Sequence, residues 1–118
     1  MPVVGIGGLF VRTGDPDALS AWYLTHLGVG GPYGQWQQEA GPTVFAPFAR
    51  DSDYFAVDRG WMLNLRVTDI AALIVSLREA EIAVETRAEW DDAGLGKFAR
   101  IHDPDGNPIE LWEAAVSS

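Results

Sequence analysis

Apolar and polar residues alternate most clearly at the C-terminal end of the chain. In Phe98-Ala-Arg-Ile-His and in Ile109-Glu-Leu-Trp112 every second residue is apolar or aromatic, the period of a half-buried strand. Between them, Asp103-Pro-Asp-Gly-Asn-Pro108 is dense in residues that favour tight turns, so the segment predicts a β-hairpin. Ile109 and Leu111 share one face of its second strand, and Glu110 and Trp112 the other. A lone carboxylate there either faces solvent or points into a pocket.

Read from the start, Ile6 to Thr13 predicts a strand, and Asp15-Pro16 then offers a helix N-cap with Pro at the first helical position. Leu19, Trp22, Tyr23 and Leu27 recur at helical spacing until Gly28 supplies a stop. Three short strands are expected near Gly34 to Gln38, Thr43 to Phe48 and Tyr54 to Asp58, and a fourth over Trp61 to Val67. Asp69 caps a second amphipathic helix with Ile70, Leu73, Ile74, Leu77 and Ala80 on one face. Glu81 stands where a terminating Gly would be expected. A short strand near Val84 to Arg87 and a loop through Asp91 to Gly96 lead into the hairpin.

The order strand, helix, three strands therefore occurs twice. Sliding Leu9 to Leu19 by 54 positions onto Leu63 to Leu73 aligns Leu9 with Leu63, Arg12 with Arg66, Asp15 with Asp69, Ala18 with Ala72 and Leu19 with Leu73. This predicts an α+β fold, a single domain over residues 1–118 built of two βαβββ repeats, about 1–60 and 61–118. Two such repeats, each too small for its own core, are expected to share one.

Strand alternation assigns the faces. Leu9, Val11 and Thr13, Leu63, Leu65 and Val67, Ala99 and Ile101, and Ile109 and Leu111 form the continuous, largely apolar set and should meet the helices. Phe10, Arg12, Met62, Asn64, Arg66, Phe98, Arg100, His102, Glu110 and Trp112 fall opposite. Apolar walls with a few convergent polar groups are the composition of a ligand pocket. Trp36, Phe45, Tyr54 and Trp61 are further candidates for its lining.

Composition narrows the function classes. The net charge of −9 and a single lysine, Lys97, argue against a nucleic-acid partner. No apolar run approaches the ~20 residues that span a bilayer, and the N-terminus lacks the layout of a secretory signal, so no membrane partner and a cytoplasmic location are expected. Without cysteine there is neither disulfide nor thiolate chemistry. Asp103-Pro-Asp-Gly106 is a turn and not an EF-hand loop, because its Gly comes fourth where the sixth is required.

The duplicated order, Asp15-Pro16 leading to Trp22-Tyr23 and His26-Leu27-Gly28, and above all Asp103-Pro-Asp-Gly-Asn with Ile109-Glu-Leu-Trp112, resemble the vicinal oxygen chelate superfamily. This is the glyoxalase, bleomycin-resistance and extradiol dioxygenase group, and the resemblance covers the full length. It implies that the two units share a curved mixed sheet enclosing a pocket, with helices on the outer face, and that the sheet faces a divalent metal held by residues of the first and last strands of each unit. Glu110 matches one such ligand position, while Gly8, Met62 and the neighbourhood of Ala56 fall on the other three and carry no donor. His102, Asp58 and Asn64 are the substitutes within the chain. One carboxylate does not hold a transition metal, so no cofactor is expected, with a divalent metal at Glu110 as the alternative.

The leading expectation is a homodimeric glyoxalase/bleomycin-resistance-like protein that binds a small organic ligand at Phe10, Arg12, Asn64, Arg66, Phe98, Arg100 and Trp112. The arginines favour an anionic one. The alternative is a lyase or isomerase resembling glyoxalase, in which Glu110 is the catalytic base and Asn64 or Arg66 the oxyanion donor. A third reading takes the aromatic face as a dimer interface alone.

Overall fold

The structure is a computed structural model that describes residues 2–116. It falls into two compact units, Met1–Trp36 and Gln37–Ser118, a division well before the repeat boundary read near residue 60. The architecture is α+β, with two α-helices and a three-stranded mixed sheet among the described residues. No helix of these residues is long and apolar enough to cross a membrane.

The first unit holds helix α1, Pro16–Leu27. Both predicted ends form. The Asp15 side chain accepts from the Ala18 N–H at 3.1 Å, and Pro16 opens the first turn. Gly28 adopts φ 68°, its N–H donating to the Leu24 carbonyl while Val29 N–H donates to that of Tyr23, a left-handed closure of the last turn. Leu19 is buried, and Trp22 meets Tyr23 and His26 edge-on.

The strand expected over Ile6 to Thr13 is not formed: these residues carry no sheet hydrogen bonds, and Ile6, Leu9 and Phe10 are exposed. A strand exists only where a neighbour takes its N–H and C=O groups, and the first unit contains no other strand among its described residues. The expected strand at Gly34 to Gln38 is absent for the same reason, its start being taken by a 3₁₀ turn, Pro32–Gly34.

The second unit is organised on the hairpin. Strands β2, Gly96–His102, and β3, Pro108–Ala114, pair antiparallel, and β1, Leu63–Arg66, pairs parallel to β3 on its other side. Helix α2, Ile70–Glu79, joins β1 to the rest and packs on β3. The apolar face is the one that alternation assigns: Leu65, Ala99, Ile101, Ile109 and Leu111 are buried together with Ile70 and Leu77 of α2.

Local chemistry fixes the ends of these elements. Asp103 accepts from the N–H groups of Asp105 and Asn107 and from the Asn107 side chain at 2.8–3.0 Å, which closes the hairpin turn. Arg59 clamps that turn from outside, donating to Asn107 Oδ1 and to the Asp105 carbonyl. Asp69 caps α2 through Ala72 N–H, and Glu113 of β3 accepts from the Ile70 N–H at 2.9 Å. Glu81 takes the left-handed position after α2 at φ 62°, a conformation a glycine would adopt without steric cost.

The remaining strand expectations shrink. Thr43 to Phe48 and Tyr54 to Asp58 are irregular, and Val84 to Arg87 reduces to one bridge between Glu85 and Arg100. The described sheet ends at β1 on one side, and past β2 only the isolated bridges of Glu85 to Arg100 and of Asp92 to Gly96 continue it.

Candidate functional site

The polar face of the sheet is ordered by register. Asn64 lies opposite Glu110 across β1 and β3, and Glu110 lies opposite Arg100 across β3 and β2, so the three side chains form one row. The next row is Arg66, Trp112 and Phe98, by the same pairings. Glu110 and Arg100 are buried, at 8% and 5% exposure, on a face where a carboxylate and a guanidinium would ordinarily be solvated.

Both Glu110 oxygens are occupied. Asn64 Nδ2 donates to Oε1 at 2.7 Å, and the Tyr54 hydroxyl donates to Oε2. Burial first, and then the hydrogen bond to Glu110, push the Tyr54 phenol up from 10.0 to about 12. Tyr54 is therefore a protonated donor throughout the neutral range.

Arg100 is held differently. Its Nη1 donates to the Tyr54 carbonyl at 3.0 Å, and its Cζ lies 4.9 Å from the Tyr54 ring centre and 5.3 Å from that of Trp90. Cation–π contact of this kind offsets part of the charge. The other donors, Nε and Nη2, are buried without a hydrogen-bond partner. Leaving a buried donor unpaired costs about 1–3 kcal/mol, more when it is charged.

Beside Arg100, at one end of this row, opens a cleft of about 450 Å³, lined by Asp53 to Val57, Glu85, Arg87, Trp90, Arg100 and His102. Arg87 is paired with Glu85 at 2.9 Å and stacks over Trp90 at 5.1 Å. Phe48 extends the aromatic wall behind Tyr54 and Phe55, with ring centres 5.7 and 5.6 Å away. The arrangement offers flat apolar surfaces, one buried cation and a locked carboxylate.

Of the residues singled out in the sequence, Asn64, Arg100 and Glu110 come together, with Arg100 alone among them lining the cleft. Phe98 and Trp112 stack on each other at 6.2 Å with planes 2° apart, and Trp112 Nε1 donates to the Leu95 carbonyl. Arg66 is used by the backbone, donating to the carbonyls of Glu39 and Ala40. Phe10 and Arg12 belong to the first unit and are exposed there. Trp90, Glu85 and Arg87 were not expected in the site; Trp90 stands in an acidic stretch with no periodicity, and the Glu85–Arg100 bridge that draws it in spans a loop.

The donor set does not fit a metal. Glu110 is surrounded by two hydrogen-bond donors and faces a guanidinium across the ladder, where a metal needs further lone pairs. Among the described residues no group of three or more His, Asp or Glu side chains converges.

No family model matches the chain, and no curated protein sequence matches it significantly. Among solved structures it is similar to that of TnmS3, an antibiotic binding protein from Streptomyces sp. CB03234, with TM-score 0.61 and 26% identity over 98% of this chain and 99% of that one.

Proposed function

We propose that the chain is a small-molecule-binding protein of the glyoxalase/bleomycin-resistance type that takes an organic ligand into the cleft of the second unit. The observation that carries this reading is the cleft itself, where Tyr54 and Trp90 present aromatic surface beside the buried Arg100 cation. The full-length similarity to an antibiotic binding protein supports it. An antibiotic or a comparable small aromatic compound, anionic by preference because of Arg100, is the ligand class this favours.

On this reading Glu110 has a structural part, fixing Tyr54 and Asn64, and no metal is needed. The test is a titration of the purified protein with a panel of aromatic antibiotics, followed by tryptophan fluorescence and repeated on Trp90→Phe. Saturable quenching that Trp90→Phe abolishes is expected; a panel without any saturable response sinks the reading. Elemental analysis accompanies it, with add-back of Ni, Mn, Zn and Fe. Stoichiometric metal that is lost in Glu110→Gln would instead make Glu110 a ligand and favour glyoxalase-like lyase or isomerase chemistry.

The same proposal includes a homodimer of duplicated βαβββ units. Ile6, Leu9 and Phe10 of the first unit and, separately, Val44, Phe45 and Val57 of the second are exposed at 51% to 93%, large apolar side chains that a second copy of the chain would cover. A second copy of the chain would supply the ladder partners that the strand-patterned segments lack. Light scattering on the eluted protein should give twice the chain mass of 12.8 kDa, and a monomer at micromolar concentration would remove this part of the proposal.

A further inference from the structure

The inference that follows rests on the small-molecule reading and names the chemistry of the ligand. We infer that the Nε–Nη2 edge of Arg100 is the receptor for a planar monoanion, a carboxylate borne on an aromatic ring.

Three features carry it. Nε and Nη2, the donors left unpaired in the interior, lie on one edge of the guanidinium. Those are the atoms through which Arg87 grips a carboxylate in this same chain, with both Nε and Nη2 donating to Glu85 Oε2 at 3.2 and 2.9 Å. A guanidinium edge with two parallel N–H groups matches the two oxygens of a carboxylate. Arg100 therefore presents an empty fork, and Arg87 a filled one.

No carboxylate of the described residues completes the fork. The one ion pair they form is Arg87 with Glu85, and Glu110, facing Arg100 across the ladder, gives its oxygens to Asn64 and Tyr54. The aromatic neighbours do not enclose the guanidinium either. The Tyr54 and Trp90 ring centres are 6.1 Å apart, well short of the sum of their distances to Cζ, so both rings lie towards one side of it. Solvent does not reach the fork, so an entering oxyanion has to shift a covering side chain. Trp90, whose ring centre lies 5.3 Å from Cζ, is half-buried at the end of a three-residue 3₁₀ turn.

Charge decides between anions. The Glu110 carboxylate lies one strand away from the fork, and Asp53 lines the cleft together with Glu85 and Arg87, whose opposite charges pair with each other. Two negative neighbours tolerate a singly charged oxyanion and repel a doubly charged one. A flat ring next to the carboxylate would lie along Trp90 and Tyr54, which points to an aromatic acid and away from a phosphate ester.

The experiment is calorimetric titration of the full chain with 2-naphthoate, 2-naphthamide and 2-naphthyl phosphate, on wild type, Arg100→Met, Arg100→Lys and, as a control at an exposed arginine outside the cleft, Arg50→Met. Wild type should bind the acid at least tenfold more tightly than the amide or the phosphate. Arg50→Met should keep that preference, and Arg100→Met should abolish it, bringing the acid's affinity down to that of the amide. Arg100→Lys, which keeps the charge without the fork, should lose most of it and serves if Arg100→Met does not fold. Equal affinity for acid and amide in wild type, or a preference that survives Arg100→Met, overturns the inference. Antibiotics that bind while all three naphthyl probes do not would also overturn it and leave the small-molecule reading standing. No binding by any compound removes both.

Discussion

Tyr54→Phe isolates the contact that locks the carboxylate. The substitution removes one oxygen and keeps the ring, so the packing against Arg100 at 4.9 Å and the carbonyl that accepts from Nη1 both survive. What is lost is the donor to Glu110 Oε2, on a side chain only 8% exposed. A hydrogen bond to an ionised group contributes roughly 1.5–3 kcal/mol. The partly buried hydroxyl has its own desolvation cost, which the phenylalanine avoids, so a net loss of about 1–2 kcal/mol is expected. At roughly 3–6 °C per kcal/mol for a chain of this length, Tm should fall by about 3–12 °C in calorimetry at pH 7.

The pH dependence gives an independent check. The folded state raises the Tyr54 pKa from 10.0 to about 12. Unfolded chains release that proton near 10 and folded ones near 12, so the contribution is complete below about pH 10 and disappears as the pH rises to about 12. Wild type should therefore lose stability across that window more steeply than Tyr54→Phe. A Tm within about 1 °C of wild type at pH 7, with parallel curves in alkali, would refute the reasoning by showing that Oε2 does not depend on the hydroxyl.

Glu110→Gln offers one acceptor and an amide N–H₂ where Asn64 and Tyr54 both donate; it should cost about 1–3 kcal/mol in urea unfolding, and a double-mutant cycle with Tyr54→Phe should be clearly non-additive. Additive losses would mean that the two residues act apart. Gly96 sits at φ 130°, with the position of a β-carbon only 2.0 Å from the Glu113 carbonyl, so Gly96→Ala should destabilise by ~3 kcal/mol or more; a neutral result by thermal melt would contradict the register of β2 on β3. Asp69→Ala removes the α2 cap and leaves an alanine at φ 47°, for a loss of ~1–2 kcal/mol that Asp69→Gly should partly recover.

Legibility in the sequence followed the range of the interactions concerned. The hairpin was readable because its turn is closed within four residues, by Asp103 on Asp105 and Asn107, and its strands bury the alternation that marks them. Both helices were readable from Asp15 and Asp69, whose side chains reach only three residues ahead. The site was half readable. Alternation and register place Glu110, Asn64 and Arg100 on one face, but nothing local says that a tyrosine 56 positions earlier will occupy the carboxylate, or that Arg66 will be spent on the carbonyls of Glu39 and Ala40.

The N-terminal half shows the opposite limit. Alternation over Ile6 to Thr13 states that a segment has two unlike faces, and it is silent on what receives the backbone groups along its edges. In the second unit the equivalent question for β1 is answered within the chain, because β3 lies beside it in register from Leu63 to Arg66. For Ile6 to Thr13 no described residue answers it. Leu9 and Phe10 consequently share the same exposed state although the pattern assigns them opposite faces. A pattern that marks a strand while the described residues offer it no ladder is compatible with the proposed dimer, in which an intermolecular sheet would receive those groups. If so, hydrogen exchange at Leu9 and Val11 should slow steeply as protein concentration rises, while exchange at Ile101 and Leu111 stays constant. Equal rates at all concentrations would leave the apolar pattern of the first unit without such a sheet.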